Sequence, residues 1–191
     1  QAKTLFPYTT LFRSGSLQQS SNNLDVAING NGFFEVQLPD GTIGYTRDGS
    51  FQLDSQGRLV TSGGLPVANG ITVPQGATSI SISESGVVSA TLAGNPQPQL
   101  LGQLAMSSFI NAAGLQPVGQ NMYKESAASG APQQGQPGTN GLGVMRQGFL
   151  ETSNVNVVEE LVTMIQTQRA YEMNSKAIQT SDQMLAKLSQ L

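Results

Sequence analysis

The sequence contains no cysteine, no histidine and no tryptophan. Without cysteine there are no disulfides, thiolate metal sites or thiol nucleophiles. Without histidine the commonest general base and the commonest transition-metal ligand are missing. Charged residues make up 11% of the chain, against about 25% in ordinary soluble domains. The nine Lys and Arg residues are scattered, so there is no basic footprint for nucleic acid. No apolar run reaches the roughly 18 residues of a spanning helix, and no membrane insertion is expected. No cleavable signal peptide is recognisable, so export would need another route. Gly, Ser, Gln, Asn and Thr fill the place of the missing charges. Such a surface costs little to desolvate, which suits a protein that packs against copies of itself. A neutral, Ser/Gln-rich secreted domain would have the same composition.

What the chain does have is one long uninterrupted stretch at its end. From Val157 to Gln190 there is no Pro and no Gly, and Val157, Met164, Tyr171, Ile178 and Leu185 recur every seven residues. Leu161, Ile165, Leu188 and Leu191 thicken the stripe. That period defines an α-helix with a narrow apolar seam that packs lengthwise on another helix. Asn156 is placed to cap it, with Glu159 and Glu160 suited to the positive end of the dipole. A helix of this length is a rod of roughly 50 Å. Nothing upstream reads as a partner helix.

Residues 1–14 do not match the rest of the chain; the run Leu5–Ser14 resembles translated sequencing-adapter sequence and is set aside as foreign. From Leu17 onward the pattern is short alternating runs between turns. Leu24, Val26 and Ile28 share one side, with Asp25, Ala27 and Asn29 opposite; Phe34, Val36 and Leu38 share another. Pro39-Asp40-Gly41, Asp48-Gly49, Asp54-Ser55-Gln56-Gly57 and Ser85-Gly86 punctuate further strands. Leu100 to Phe109 reads as the last long one. The spacing predicts a mainly β domain of short strands, with Ile28, Phe34, Val36, Phe51, Leu53 and Leu59 in its core. The organisation expected is a β-rich domain over 15–125, a Pro/Gly-rich loop over 126–141, a return strand and turn over 142–155, and an assembly helix over 156–191.

The candidate chemistry is thin. Gly30-Asn31-Gly32 begins like a nucleotide loop, but Glu35 stands where a third Gly belongs and a strand comes next, so a tight turn is expected. Asp40, Asp48 and Asp54 could form a carboxylate pair for a secreted glycoside hydrolase, which needs no His. Each also sits in a turn context where Asp closes its own backbone. Catalytic, metal and cofactor sites are all expected to be absent.

Five segments carry a resemblance: Leu24–Val36 (LDVAINGNGFFEV), Tyr45–Asp54 (YTRDGSFQLD), Gly57–Val67 (GRLVTSGGLPV), Gln147–Leu161 (QGFLETSNVNVVEEL) and Thr167–Leu185 (TQRAYEMNSKAIQTSDQML). From about Gly15 to Leu191 the chain is similar to the axial proteins of the bacterial flagellum, the rod and hook family. The turn into the helix and the helix ending at Leu191 are most like the distal rod; a proximal rod or hook protein is the alternative within the family, and a phage-tail-like fibre subunit is one outside it. The resemblance implies a non-enzymatic structural subunit, a homo-oligomer that polymerises helically into a torque-transmitting shaft of the basal body. It implies other rod proteins, hook protein and surrounding ring proteins as partners, a place across the periplasm, and type III export without a cleaved signal. It assigns the seam Val157, Leu161, Met164, Ile165, Tyr171, Ile178, Leu185 and Leu188 to assembly. The family's N-terminal helix, partner of the C-terminal one, is expected to be missing here, with the adapter-like run in its place.

Overall fold

A computed structural model describes the backbone of residues 15–188, with all side chains in it except those of 96, 182 and 185–188. The adapter-like run lies outside the described residues. The chain divides into two compact units, the first ending at Thr152 and the second beginning at Ser153. The first is built of strands and the second of one helix, giving a mainly β fold with a long C-terminal helix.

The strands are β1 (Leu17–Gln19), β2 (Val26–Asn29), β3 (Phe33–Gln37), β4 (Ile43–Thr46), β5 (Phe51–Leu53), β6 (Leu59–Thr61), β7 (Ala77–Ile82), β8 (Val87–Leu92) and β9 (Asn95–Gln103). They continue with β10 (Met106–Ser108), β11 (Gln116–Gly119), β12 (Met122–Lys124), β13 (Gln133–Gly135), β14 (Val144–Gln147) and β15 (Phe149–Glu151). The largest sheet has the order β11-β12-β4-β3-β10-β13. Around it lie the three-stranded sheet β7-β8-β9 and the pairs β14-β2, β5-β6 and β1-β15. Every pairing is antiparallel.

The turns form where the punctuation predicts. Gly41 donates to Leu38 O to close the β3–β4 hairpin, and Gly57 donates to Asp54 O to close β5–β6. Both glycines sit at φ near +80° (80° and 78°), a conformation that a Cβ would strain. The main core gathers Val26, Ile28, Phe34, Phe51, Leu59, Ile71, Val88, Met106 and Met145, among others. Phe33, Tyr45 and Leu115 form a second cluster with Phe109 and Tyr123 against them. Val36, Leu38 and Met122 form a third.

Several expectations change. Leu53 is 39% exposed and leaves the core. It ends a three-residue strand paired only with β6, next to the Asp54 turn, so its side chain lies at the rim while Leu59 opposite it is buried. On the other face of β2 and β3, Asp25, Ala27, Phe33 and Glu35 are buried too. Neighbouring elements cover both sides, as in an interior strand. The run Leu100 to Phe109 is two strands, since the chain leaves the three-stranded sheet at Gln103 and enters the large one at Met106. Likewise Leu142 to Leu150 divides at Gly148, where pairing switches from β2 to β1.

The segment 126–141 also contains a strand, β13. Its backbone pairs with β10, which requires no apolar side chain. Gln134 Nε2 donates to both carboxylate oxygens of buried Glu35, at 2.9 and 3.0 Å, and Ser107 Oγ donates to the same group. This polar tie makes a Gln-rich loop part of the sheet.

Candidate assembly site

Helix α1 spans Val157–Leu188. Asn156 caps it: its side-chain oxygen accepts from Val158 N–H at 3.1 Å, and its carbonyl accepts from Glu160 N–H. Glu159 and Glu160 occupy the first turn, where their charge favours the helix dipole. Along the shaft Thr163, Thr167 and Thr180 donate back to the carbonyls four residues earlier, at 2.8–3.0 Å. These hydroxyls are thus satisfied within the helix itself.

The apolar positions are not covered. Val157, Leu161, Met164, Ile165, Tyr171 and Ile178 are between 42% and 76% exposed. The side chains of Leu185 and Leu188 lie outside the described residues. Val158, Val162, Met173 and Met184 are exposed as well; Val158 shares the heptad position of Ile165, and the other three fall off the seam's register. At 100° per residue, Val158 and Val162 lie next to Leu161 and Ile165 and widen the seam in the first turns. Exposed apolar patches of this kind are candidate interaction sites.

The β unit offers no comparable chemistry. Asp40 accepts from Thr42 N–H and Oγ1 and from Lys124 Nζ; the Lys124 bond, first among these, holds its carboxyl well below the usual range. Asp54 accepts from the Arg58 and Gln56 amides and from Arg58 Nε, and the Arg58 amide leads in lowering its pKa. Asp48 closes onto Ser50 N–H and Oγ at 3.0 and 2.6 Å. All three carboxylates are turn-closing groups, and the lowered pKa values of Asp40 and Asp54 are the wrong direction for a general acid. A cleft of about 270 Å³ lies beside Asp48, with Thr46, Thr61 and Gln120 among its walls; its carboxylate is the one already spent on Ser50. Gly30-Asn31-Gly32 is a turn between strands, as expected. No group of acidic residues able to hold a metal occurs among the described residues, and no helix in them is long and apolar enough to cross a membrane.

Sequence reasoning missed Arg47. Its guanidinium donates to Ile28 O, Gly30 O, Gly32 O and Glu151 Oε2. These partners are up to 104 residues away in the chain, and no local pattern announces them.

The carboxylates described in the β unit close turns, and the capped helix after it keeps apolar side chains exposed, which fits a structural protein. Its similarity to known proteins agrees. Residues 27–90 match the model of the flagellar hook protein FlgE/F/G D1 domain, and residues 146–191 that of the flagellar basal body rod FlgEFG protein C-terminal region. The chain is 59% identical over 177 residues to the flagellar basal-body rod protein FlgG of Buchnera aphidicola subsp. Acyrthosiphon pisum, covering 93% of this chain and 68% of the relative. It is 52% identical over 177 residues to FlgG of Borreliella burgdorferi, covering 92% and 67%. The flagellar hook protein FlgE of Escherichia coli is 39% identical over 118 residues, covering 62% of this chain and 29% of the relative. The chain belongs to the flagellar hook and basal-body rod protein family, a structural family and not an enzyme family.

Proposed function

We propose that this chain is a structural subunit of the flagellar distal rod, and that α1 is the seam by which copies polymerise into a shaft that transmits torque. The observation that carries the reading is the uncovered apolar surface of α1 from Val157 to Met184. Each of those side chains gains roughly 1.5–3 kcal/mol on full burial, and a helix of this kind draws most of its stability from packing. The rod is favoured over the hook because the rod relatives align with 93% of the chain and the hook relative with 62%. Other rod proteins, hook protein and ring proteins are the expected partners, with the shaft crossing the periplasm after export without a cleaved signal.

The strands that bring the chain into and out of the β unit support this. Thr152 N–H and Oγ1 both donate to Ser16 O, at 2.8 and 2.9 Å. The start of β1 and the end of β15 thus lie side by side where the chain leaves the β unit. The test is Ile178→Asp in the full-length gene of a strain lacking its own copy. The reading requires loss of rods and of swimming while the subunit is still exported. Normal swimming by that variant would defeat it.

A further inference from the structure

Strands β1 and β15 form a two-stranded ribbon through which the chain enters and leaves the β unit, with Leu17 opposite Glu151 and Gln19 opposite Phe149. None of its side chains is buried: Leu17, Phe149, Leu150 and Glu151 are partly covered, and Gln18 and Gln19 are exposed. A two-stranded ribbon with no apolar side chain in a core is marginal by itself. Its inner end is held by backbone bonds, Gly148 N–H to Asp25 O and Ser20 N–H to Gly148 O, both 2.7 Å. At that same end Gly148 has φ +75°, a glycine on which the ribbon can pivot.

The outer end is tied to the body through Arg47. Its Nη1 donates to Gly32 O at 2.9 Å and Gly30 O at 3.1 Å, and Nη2 donates to Ile28 O at 3.3 Å. Its Nε donates to Glu151 Oε2 at 2.8 Å, and the other oxygen of Glu151 accepts from Gly15 N–H at 2.7 Å. The guanidinium carbon also lies 5.9 Å from the centre of the Phe33 ring. One planar fork thus joins the end of β2, the turn before β3 and strand β15 of the ribbon, and Glu151 in turn holds Gly15, just before β1. A lysine could not do this, because its single nitrogen cannot span a carboxylate and three carbonyls spread along a turn.

We propose that Arg47, acting through Glu151, is a positioning residue that locks the β1–β15 ribbon to the body, so that torque arriving at the chain ends passes into the β unit without hinging at Gly148. The torque role rests on the proposed rod function; the lock does not. Arg47 and Glu151 fall in the two separate segments that match the family models, and their contact adds a side-chain tie to the backbone pairing of β14 with β2.

Hydrogen exchange on the purified full chain tests the lock. In Arg47→Met and in Glu151→Gln, amides of 15–20 and 148–152 should exchange about tenfold faster or more, the loss expected for a charge-assisted bond. Amides of β3, β4 and β8 should change by less than about twofold. Arg47→Lys should behave like Arg47→Met, and the double variant no worse than either single one. Unchanged ribbon exchange, or equal loosening of β3 and β4, would overturn the lock. In cells, Arg47→Met in the full-length gene should leave rods assembled but impair swimming in viscous medium; unimpaired swimming there would overturn the torque role. Failure of the unmutated full-length gene to restore swimming to a rodless strain would instead defeat the rod reading, leaving the exchange result standing.

Discussion

Phe51 and Leu53 lie on the same short strand, two residues apart, and alternation alone would treat them alike. The structure separates them. Phe51 is fully buried and meets Phe34 edge-to-face with ring centroids 5.1 Å apart; Leu53 is 39% exposed. Phe51→Ala removes a whole ring from the centre of the main core and leaves a cavity, at a cost on the order of 3–5 kcal/mol. Loss of the ring pair is part of that figure. In a domain of this size such a change lowers Tm by on the order of 10–20 °C. Leu53→Ala trims a rim side chain and should cost about 1 kcal/mol or less. Urea and thermal melts of the two variants, followed by far-UV circular dichroism and compared with the parent, give the contrast directly. Equal shifts for the two, or a larger one for Leu53→Ala, would refute the assignment of the core.

Two further predictions concern the β unit. Burial, with help from the charges of Glu35 and Glu125, pushes the Tyr45 hydroxyl up to about 12 from the usual 10. Its raised pKa contributes stability that is complete below pH 10 and is lost as pH rises through about 12. The parent should therefore lose stability over that window, and Tyr45→Phe should flatten that part of the pH profile in urea melts. A Cβ on Gly49 would lie 1.7 Å from Val26 O, so Gly49→Ala must displace backbone. It should destabilise by on the order of 1–3 kcal/mol; an unshifted melt would show that the close approach is absent.

How much could be read ahead of the structure depended on the range of the interaction. The helix was legible because its signal is local: an unbroken heptad, an Asn cap and two acids in the first turn. Hairpin turns such as Asp54–Gly57 were legible for the same reason, since Asp and Gly act on their own backbone. Strand order was not, because β13 and β11 are exposed edge strands with no alternating apolar pattern, paired through their backbones and, for β13, through the side chain of Gln134. No local pattern shows that Glu35 is buried, because Ser107 and Gln134, brought in from distant strands, supply the partners that allow it. Arg47 was invisible for a related reason, as its worth lies in where residues 28–32 and 151 meet. The family resemblance lay in motif segments, and those segments turn out to hold both partners of this contact.

On the proposed function, α1 keeps its seam uncovered until subunits assemble. Hydrogen exchange of the helix between Tyr171 and Leu188 tests it most directly, measured first on dilute monomer and then on assembled rods. The account predicts rapid exchange in the monomer, where apolar contacts are lacking, and strong protection in the rod. Strong protection of that stretch already in the monomer would contradict it, because the chain would then bury its own seam and have none to offer a neighbour.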